Sequence, residues 1–270
     1  MKKIVILYSG GLDSYIMYHY AKVNNPDAEV IAVYYRHGQP AMQKELDRLP
    51  DFVEQKSIEW LDENNGPVAM KSKPTEGAIF IPGRNMVFTT LACCQYLPDE
   101  IWMGSVANEV TDGGTDKNQM FVDMMNVTLN YVNRDFLDNG VRFRIPFVED
   151  NIGKIEAVQW GLENGITAEE IINTPSCYGE HETACGVCVQ CLRRWAIFGL
   201  TGLKEEYLED PVQSEMMITS LKNMMIKPQT KFYYDEILTY MHKYLPENPG
   251  TYDEDFTRRI MEIENPYANI

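Results

Sequence analysis

Residues 2–14 read Lys-Lys-Ile-Val-Ile-Leu-Tyr-Ser-Gly-Gly-Leu-Asp-Ser. The run from Ile4 to Tyr8 is apolar at every position, which is typical of a strand that is covered on both faces in a parallel sheet. Gly10 and Gly11 then permit a sharp turn and a close approach of the backbone to a ligand. Apolar residues recur at helical spacing from Leu12 to Lys22. The stretch therefore predicts a strand, a glycine turn and a helix.

The predicted turn has the chemistry of an anion-binding site. The free N–H groups of the first helical turn, the positive end of the helix dipole and the hydroxyls of Ser9 and Ser14 would meet there. The motif is neither the Walker-type phosphate loop nor the dinucleotide-binding Gly-x-Gly-x-x-Gly loop. A plain tight turn is the alternative interpretation. Asp13 beside both serines, directly after a buried strand, favours the anion site.

Strand-like and helix-like segments alternate from residue 1 to about residue 165, which predicts an α/β fold. The pattern indicates an open, parallel, five-stranded sheet with helices on both faces. The predicted strands are Ile4–Tyr8, Glu29–Tyr35, Asp51–Ser57, Ile101–Ser105 and Val141–Phe147, and the predicted helices are 12–22, 41–49, 86–96, 120–132 and 151–163. Residues 61–78 are polar and irregular, as in a surface or active-site loop.

The helix predicted over residues 86–96 is apolar almost all round, which indicates a buried helix. It contains two adjacent cysteines, Cys93 and Cys94. Small apolar residues of this kind usually lie in a protein core. We therefore expect both cysteines to be buried core residues.

The composition points to a small-molecule substrate. The 270 residues include 24 basic and 40 acidic side chains, for a net charge of −16. Nucleic-acid binding depends on Lys and Arg, so this charge argues against a DNA or RNA partner. The sequence has neither an apolar run long enough to span a bilayer nor a signal-peptide pattern at its start. We therefore expect a cytoplasmic protein without a membrane partner.

Four cysteines, Cys177, Cys185, Cys188 and Cys191, form a Cys-x7-Cys-x2-Cys-x2-Cys segment. Four thiolates at this spacing can close a tetrahedron around one ion, which is typical of structural zinc. A four-iron cluster also takes four cysteines and is the rival interpretation. Disulfides are less suited to a cytosolic protein. His181 lies within the loop, but with four cysteines present we interpret it as a bystander.

Three motifs occur in a fixed order along the chain: Ser9 to Ser14, Ile81-Pro82-Gly83-Arg84-Asn85, and a Cys-Tyr-Gly loop that closes in Cys-Gly-x-Cys-x-x-Cys. Together they resemble the 7-cyano-7-deazaguanine synthase family of the queuosine pathway, a branch of the ATP pyrophosphatase (PP-loop) superfamily. Gly38-Gln39 and Asn126 to Asn130 also match the pattern of that family. The resemblance covers roughly residues 1 to 200 and implies an adenine nucleotide alpha hydrolase-like fold.

The resemblance implies an ATP-dependent C–N ligase. In that family the carboxylate of 7-carboxy-7-deazaguanine attacks ATP with the help of Mg²⁺, and the resulting acyl-adenylate reacts with ammonia to give the amide. A second ATP then activates the amide oxygen, and loss of AMP leaves the nitrile. Positioning and charge neutralisation dominate such chemistry.

The resemblance also implies roles for individual residues. The catalytic residues would be Asp13, Arg84 and Lys154, with Asp13 assisting Mg²⁺ and Lys154 meeting the leaving pyrophosphate. Two other interpretations remain open: a solvated Lys154, and an Arg84 held in an internal ion pair. ATP would be bound by Ser9, Gly10, Gly11, Leu12, Asp13, Ser14, Gly38 and Gln39, the substrate by Arg84, Asn85, Asp116 and Lys117, and Zn²⁺ by the four cysteines.

One loop departs from the family pattern. Where the family has an aromatic residue and Asp-Cys-Arg, this chain has Asp112 to Asn118, in which Asp116 fits and Lys117-Asn118 replace Cys-Arg. The loss of a bidentate guanidinium would impair the second round more than the first. Two alternatives therefore stay open: a redirected relative that stops at the amide or uses another acceptor, and a non-catalytic zinc-stapled nucleotide-binding protein.

The sequence predicts three parts: a nucleotide-binding domain over residues 1–165, a zinc-binding and helical segment over 166–204, and a helical C-terminal extension over 205–270. The extension lies outside the resemblance and is rich in methionine and aromatic residues. We expect it to leave apolar surface uncovered and so to build a homodimer.

Overall fold

The structure is a computed structural model, which describes residues 1–37, 42–58, 83–110, 116–177, 182–226 and 235–265. Gly38, Gln39, the 61–78 loop, Ile81-Pro82, Asp112–Thr115 and His181 lie outside the described residues. The chain forms two compact units, residues 1–175 and residues 176–270. The finer division at residues 165 and 204 stays a prediction.

The first unit contains the predicted five-stranded sheet. Its strands are β1 (Lys3–Leu7), β2 (Glu29–Arg36), β3 (Val53–Ser57), β4 (Glu100–Met103) and β5 (Arg142–Arg144). They run in the order β3-β2-β1-β4-β5, and every neighbouring pair is parallel. The central strand β1 is fully buried from Ile4 to Ile6, as its unbroken apolar run predicts. The strand order reverses between β1 and β4, and open α/β sheets bind ligands at such a switch point.

Helices cover this sheet as predicted. In the first unit they are α1 (Leu12–Asn24), α2 (Met42–Leu46), α3 (Arg84–Tyr96), α4 (Gln119–Asn133), α5 (Pro146–Glu149), α6 (Lys154–Glu163) and α7 (Ala168–Asn173), with a 3-10 helix over Ala107–Glu109. One core cluster joins sheet residues Val5, Val33 and Phe143 to Cys93 of α3 and Leu129 of α4. Over the described ranges, no helix has both the length and the apolarity to cross a membrane.

Two sequence predictions in this unit are wrong. The fifth strand ends at Arg144 and not at Phe147, because Pro146 begins the short helix α5 and cannot donate to a strand ladder. Cys94 is exposed, although Cys93 is buried. Helix α3 buries only one face, which carries Thr89, Ala92 and Cys93. Its apolar composition alone did not show which side faces water.

Two asparagines of α4 seal the open edge of the sheet. Asn126 accepts a hydrogen bond from the Phe143 N–H (2.8 Å) and donates one to the Phe143 carbonyl (3.0 Å). Asn130 likewise accepts a hydrogen bond from the Val141 N–H (2.9 Å) and donates one to the Val141 carbonyl (2.7 Å). The two side-chain amides thus replace a sixth strand beside β5. Edge strands otherwise present unpaired backbone groups to other chains.

The second unit is helical, as predicted for the C-terminal extension. It comprises α8 (Val189–Thr201), a 3-10 helix (Pro211–Gln213), α9 (Glu215–Ile226), α10 (Asp235–Glu247) and α11 (Glu254–Met261). These helices share a core that includes Leu192, Met217, Leu221, Ile237 and Met241, all fully buried. Within residues 205–270, the expectation of uncovered apolar residues is therefore wrong for Met217, Leu221, Ile237 and Met241.

A buried ion pair links two helices of this second unit. Arg193 of α8 and Glu236 of α10 are 3% and 0% exposed, and Arg193 Nη2 lies 3.1 Å from Glu236 Oε1. Removing one partner of such a pair leaves an uncompensated buried charge. The pair thus fixes how α10 packs against α8.

We expect Asn126→Leu to lower the free energy of unfolding by about 2 kcal/mol, because it leaves the N–H and carbonyl of Phe143 without their partners. The matched control is Asn133→Leu. Asn133 donates to Leu129 of its own helix and weakly to the Cys93 sulfur, but to no backbone group of β5. Urea unfolding of both variants measures the difference. Equal losses in the two variants would show that the strand edge does not depend on Asn126.

Candidate active site and cysteine cluster

The turn after β1 is held by one buried hydroxyl. Ser14 Oγ donates to the Gly11 carbonyl (2.9 Å), accepts from the Ser9 N–H (3.2 Å) and lies 3.1 Å from Ser9 Oγ. Gly10 has φ of +82°, a conformation that favours glycine. Ser14 therefore holds the turn together through contacts with Ser9 and Gly11, and its predicted contact with an anion stays a prediction.

The first turn of α1 has no side-chain cap. Gly11 is its N-cap residue and has no side chain that could accept a hydrogen bond from the N–H groups that follow. Helix α4, by contrast, is capped by the Asn118 side chain, and α7 by a complete capping box at Thr167. Uncapped N–H groups at a helix start are the usual partners of a bound phosphate. The loop thus has the form of an anion site.

Strand β4 ends directly against this loop. A Cβ atom on Gly104 would lie 2.8 Å from Cα and 2.9 Å from the backbone nitrogen of Ser14. Only glycine permits the two chain segments to approach this closely. The carboxyl ends of β1 and β4 therefore meet at one place, and the residues that follow β4 lie beside the start of α1.

Four charged side chains form a network at the carboxyl ends of β1 and β4. Lys154 Nζ lies 3.1 Å from Asp13 Oδ2 and 2.9 Å from Glu109 Oε1. The other oxygen of Glu109 lies 3.1 Å from Lys117 Nζ. Asp13, Glu109 and Lys154 are only 12–18% exposed. Lys154 is therefore paired and largely buried, so the interpretation of a solvated lysine is wrong, and Glu109 contacts both lysines.

The Asp13 carboxyl lies in an environment that opposes its ionisation. Burial raises its pKa above the usual aspartate range and outweighs the opposing effect of Lys154, while the neighbouring charge of Glu109 raises the pKa further. The two carboxyls thus compete for the same lysine. A carboxyl with a shifted pKa and a nearby charged partner is a common feature of functional sites.

The structure does not bring every predicted residue to this network. Arg84 and Asn85 begin α3, and no hydrogen bond or ion pair between described residues joins either of them to Asp13 or Lys154. Arg84 also makes no ion pair within the described part of the chain, so the alternative of an internal ion pair gains no support. Gly38 and Gln39 lie outside the described residues.

The altered loop contributes one residue to the network. Lys117 contacts Glu109, while the Asn118 side chain accepts the Phe121 N–H at 2.9 Å and so caps α4. No ion pair or hydrogen bond of Asp116 is found among the described residues. Sequence reasoning missed Glu109, because its importance depends on contacts with residues 8 and 45 positions away.

The four cysteines of the second unit converge. Their sulfur atoms all lie within 4.8 Å of one another, with Cys188 Sγ 3.4 Å and Cys185 Sγ 3.7 Å from Cys191 Sγ. Zinc–sulfur bonds of about 2.3 Å in a tetrahedron place the sulfurs about 3.8 Å apart. The cluster can therefore hold one metal ion. Helix α8 begins directly after Cys188, its N-cap residue.

A family model described as "Queuosine biosynthesis protein QueC" matches residues 3–202. The chain belongs to this family. A 7-cyano-7-deazaguanine synthase of a Nitratiruptor species is 29% identical over 225 residues, which cover 76% of this chain and 97% of the relative. The synthase of Methanothermobacter thermautotrophicus is 28% identical over 235 residues and is covered completely, against 77% of this chain.

A solved structure, the U34-tRNA thiolase NcsA from Methanococcus maripaludis with its [4Fe-4S] cluster, matches 92% of this chain and 72% of the thiolase. The TM-score is 0.34 and the sequence identity 13%, so this likeness supports no structural argument. The QueC match ends at residue 202 and therefore includes the PP-loop, the four cysteines and helix α8. Members of the QueC family are enzymes of queuosine biosynthesis, and their PP-loop binds ATP.

We expect the purified QueC-family protein to contain one metal ion per chain and Cys188→Ser to lose it, with a marked fall in stability, because metal binding to such a cluster contributes to folding. Cys94→Ser is the matched control, since Cys94 is exposed and lies outside the cluster. Elemental analysis and thermal unfolding measure both effects. A metal-free protein with unchanged stability would contradict the expectation.

Proposed function

We propose that this QueC-family protein converts 7-carboxy-7-deazaguanine and ammonia to 7-cyano-7-deazaguanine at the expense of ATP, through adenylated intermediates and the amide. The observation that carries the proposal is the position of Lys154 beside the uncapped start of α1, 3.1 Å from Asp13 of the PP-loop. The names of the relatives support the choice of substrate.

The residues of the PP-loop suit the departure of pyrophosphate. A carboxylate is a poor electrophile until one of its oxygens becomes a good leaving group, and transfer of AMP from ATP to that oxygen achieves this. Backbone N–H groups from Gly10 to Ser14 and the Lys154 ammonium would stabilise the negative charge that develops on the leaving pyrophosphate. Arg84 would bind the phosphate of the adenylate, and Asn85 would contact the substrate.

Lys154 must change partners during this reaction. Without a ligand it is shared by the carboxyls of Asp13 and Glu109. An entering triphosphate would compete for the ammonium and release one carboxyl from it. Mg²⁺, when bound, supplies charge neutralisation at the phosphates, and a carboxylate such as Asp13 is a suitable ligand for it. Glu109 would then keep Lys154 and Lys117 in place.

The four cysteines would hold zinc in a structural role. Their sulfurs are close enough for a single ion, whereas a four-iron cluster binds each cysteine to a different iron and needs a wider set. Hydrogen bonding with Cys177 and burial raise the pKa of Cys188 to about 11, so a cation is needed to keep these thiols ionised at neutral pH. Free thiols and an ATP substrate suit a cytoplasmic enzyme.

A specific observation favours an enzyme that releases part of its product as the amide. The family's Cys-Arg is replaced by Lys117-Asn118 in this chain. Lys117 is paired with Glu109, and the Asn118 side chain caps α4. Neither side chain can replace the two parallel hydrogen bonds that an arginine at position 118 would donate to the substrate. The substrate carboxylate would still meet the charge of Lys117, and the neutral amide of the second round would lose more.

We expect protein incubated with ATP, ammonium and 7-carboxy-7-deazaguanine to form nitrile, and Lys154→Met to lower the rate at least about 100-fold, because pyrophosphate would lose a charged partner. The control is Lys22→Met, which removes a lysine from the last turn of α1, outside the site. Mass spectrometry measures products. An active Lys154→Met variant would remove Lys154 from the mechanism, and ATP binding without turnover of any acceptor would indicate a binding protein.

In a time course of the same reaction, we expect the amide to accumulate to a visible level before nitrile dominates. The physical reason is the missing guanidinium at position 118, which would make the second adenylation slower than the first. Samples quenched over several turnovers and separated by chromatography give both concentrations. Nitrile without detectable amide would show that the altered loop does not control the second step.

A further inference from the structure

Glu45 of helix α2 lies against the PP-loop. Ser14 holds this loop from within by hydrogen bonds, and Gly104 lets β4 end against it. Glu45 contacts it from the side of β2. A Cβ atom on Gly10 would lie 3.2 Å from both Cβ and Cγ of Glu45 and 3.6 Å from its Cδ. The aliphatic stem of Glu45, its Cβ and Cγ atoms, therefore packs directly on the backbone of the loop.

A buried tyrosine holds the carboxylate end of this side chain. The Tyr34 hydroxyl donates to Glu45 Oε2 at 2.5 Å, a short distance that is typical of a hydrogen bond to an ionised carboxylate. Tyr34 is only 1% exposed, so its hydroxyl needs an acceptor inside the protein. Leu7 of β1 lies opposite Val33 of β2 in the parallel register. Tyr34 is therefore fixed beside the end of β1, where the loop begins.

Glu45 contacts the loop at a residue with unusual backbone freedom. Gly10 has φ of +82°, and its conformation decides the direction of the N–H groups that follow. Glycine adopts many backbone conformations at similar free energy, so a side chain that packs on Gly10 narrows that range. A loop with its N–H groups already oriented binds phosphate with a smaller loss of conformational entropy.

We propose that Glu45 is a positioning residue of the PP-loop. Its stem packs on Gly10, the Tyr34 hydroxyl keeps that stem in place, and the two side chains together preorganise the loop for the phosphates of ATP. Glu45 itself touches neither phosphate nor sugar in this role. The inference rests on the part of the proposed function that places the pyrophosphate of ATP at this loop, and not on the identity of the acid substrate.

The charge of Glu45 favours this role over direct contact with ATP. A carboxylate repels the phosphates of a nucleotide, so it is an unsuitable group to bind them. Packing of the stem and the hydrogen bond with Tyr34 do not require the charge. A glutamine has the same stem, and its amide oxygen can accept from the Tyr34 hydroxyl. We therefore expect a glutamine at this position to orient the loop equally well.

Calorimetric titration of the full chain with ATP and with inorganic pyrophosphate, both with Mg²⁺, tests the inference. We expect Glu45→Ala to weaken the binding of both ligands about tenfold, because the stem that orients the loop is lost. Glu45→Gln should bind both at least as tightly as the wild type. Tyr34→Phe keeps the stem without its hydrogen bond and should weaken both by a smaller factor. The matched control is Asp47→Ala, with unchanged affinities, since Asp47 follows α2 and accepts a hydrogen bond from Gln43 at 2.7 Å.

The two ligands separate this role from direct contacts of Glu45. Because pyrophosphate lacks adenosine, a contact with the sugar would weaken ATP alone. A contact with Mg²⁺ would make Glu45→Gln as weak as Glu45→Ala. Either result, or a Glu45→Ala variant with wild-type affinities, would overturn the inference.

Two further results keep this inference distinct from the proposed function. A wild-type protein that binds neither ATP nor pyrophosphate would overturn the inference, because no phosphate site would remain to be positioned. Binding of both ligands without turnover of 7-carboxy-7-deazaguanine would contradict only the proposed function. Circular dichroism checks that each variant is folded, and Tyr34→Phe decides the outcome if Glu45→Ala fails to fold.

Discussion

The start of α1 is the point on which the rest of the first unit depends. The N-cap residue of α1 is a glycine, which has no side chain to accept the N–H groups of the first helical turn, and a bound anion is a suitable partner for them. The fully buried strand β1 fixes this helix start at the centre of the sheet. Gly104 lets β4 end against Ser14, and Lys154 supplies positive charge from α6. All of these features lie around the first N–H groups of α1.

The candidate site contains two lysines, although the protein as a whole carries a net negative charge. A chain with a net charge of −16 repels a polyphosphate at long range. In the proposed function, the charge that attracts phosphate would therefore be local, and it would come from backbone N–H groups, Lys117 and Lys154. Asp13 and Glu109 neutralise those lysines when no ligand is bound. Burial raises the pKa of Asp13 in spite of the nearby Lys154, so its ionised form is not fully stabilised there.

The sequence predicted the features that depend on residues close together in the chain. The Gly10 turn, the buried β1 and the cysteine cluster depend on neighbours in sequence, and they were predicted. The end of β5 was misjudged because apolar residues continue through Pro146 into a short helix. Cys94 and Glu109 show the other limit. The exposure of a helix face and the meeting of Glu109 with Lys154 depend on contacts between distant segments, which periodicity does not record.

The asparagines that seal β5 also affect how the chain reaches its fold. Asn126 and Phe143 are 17 residues apart, and Asn130 and Val141 only 11. Contacts over such short separations cost less loop-closure entropy than contacts between distant segments. The outermost strand is thus synthesised directly after its own cover and pairs with it locally. Its outer edge would therefore be covered soon after synthesis, which would limit aggregation of the newly made chain.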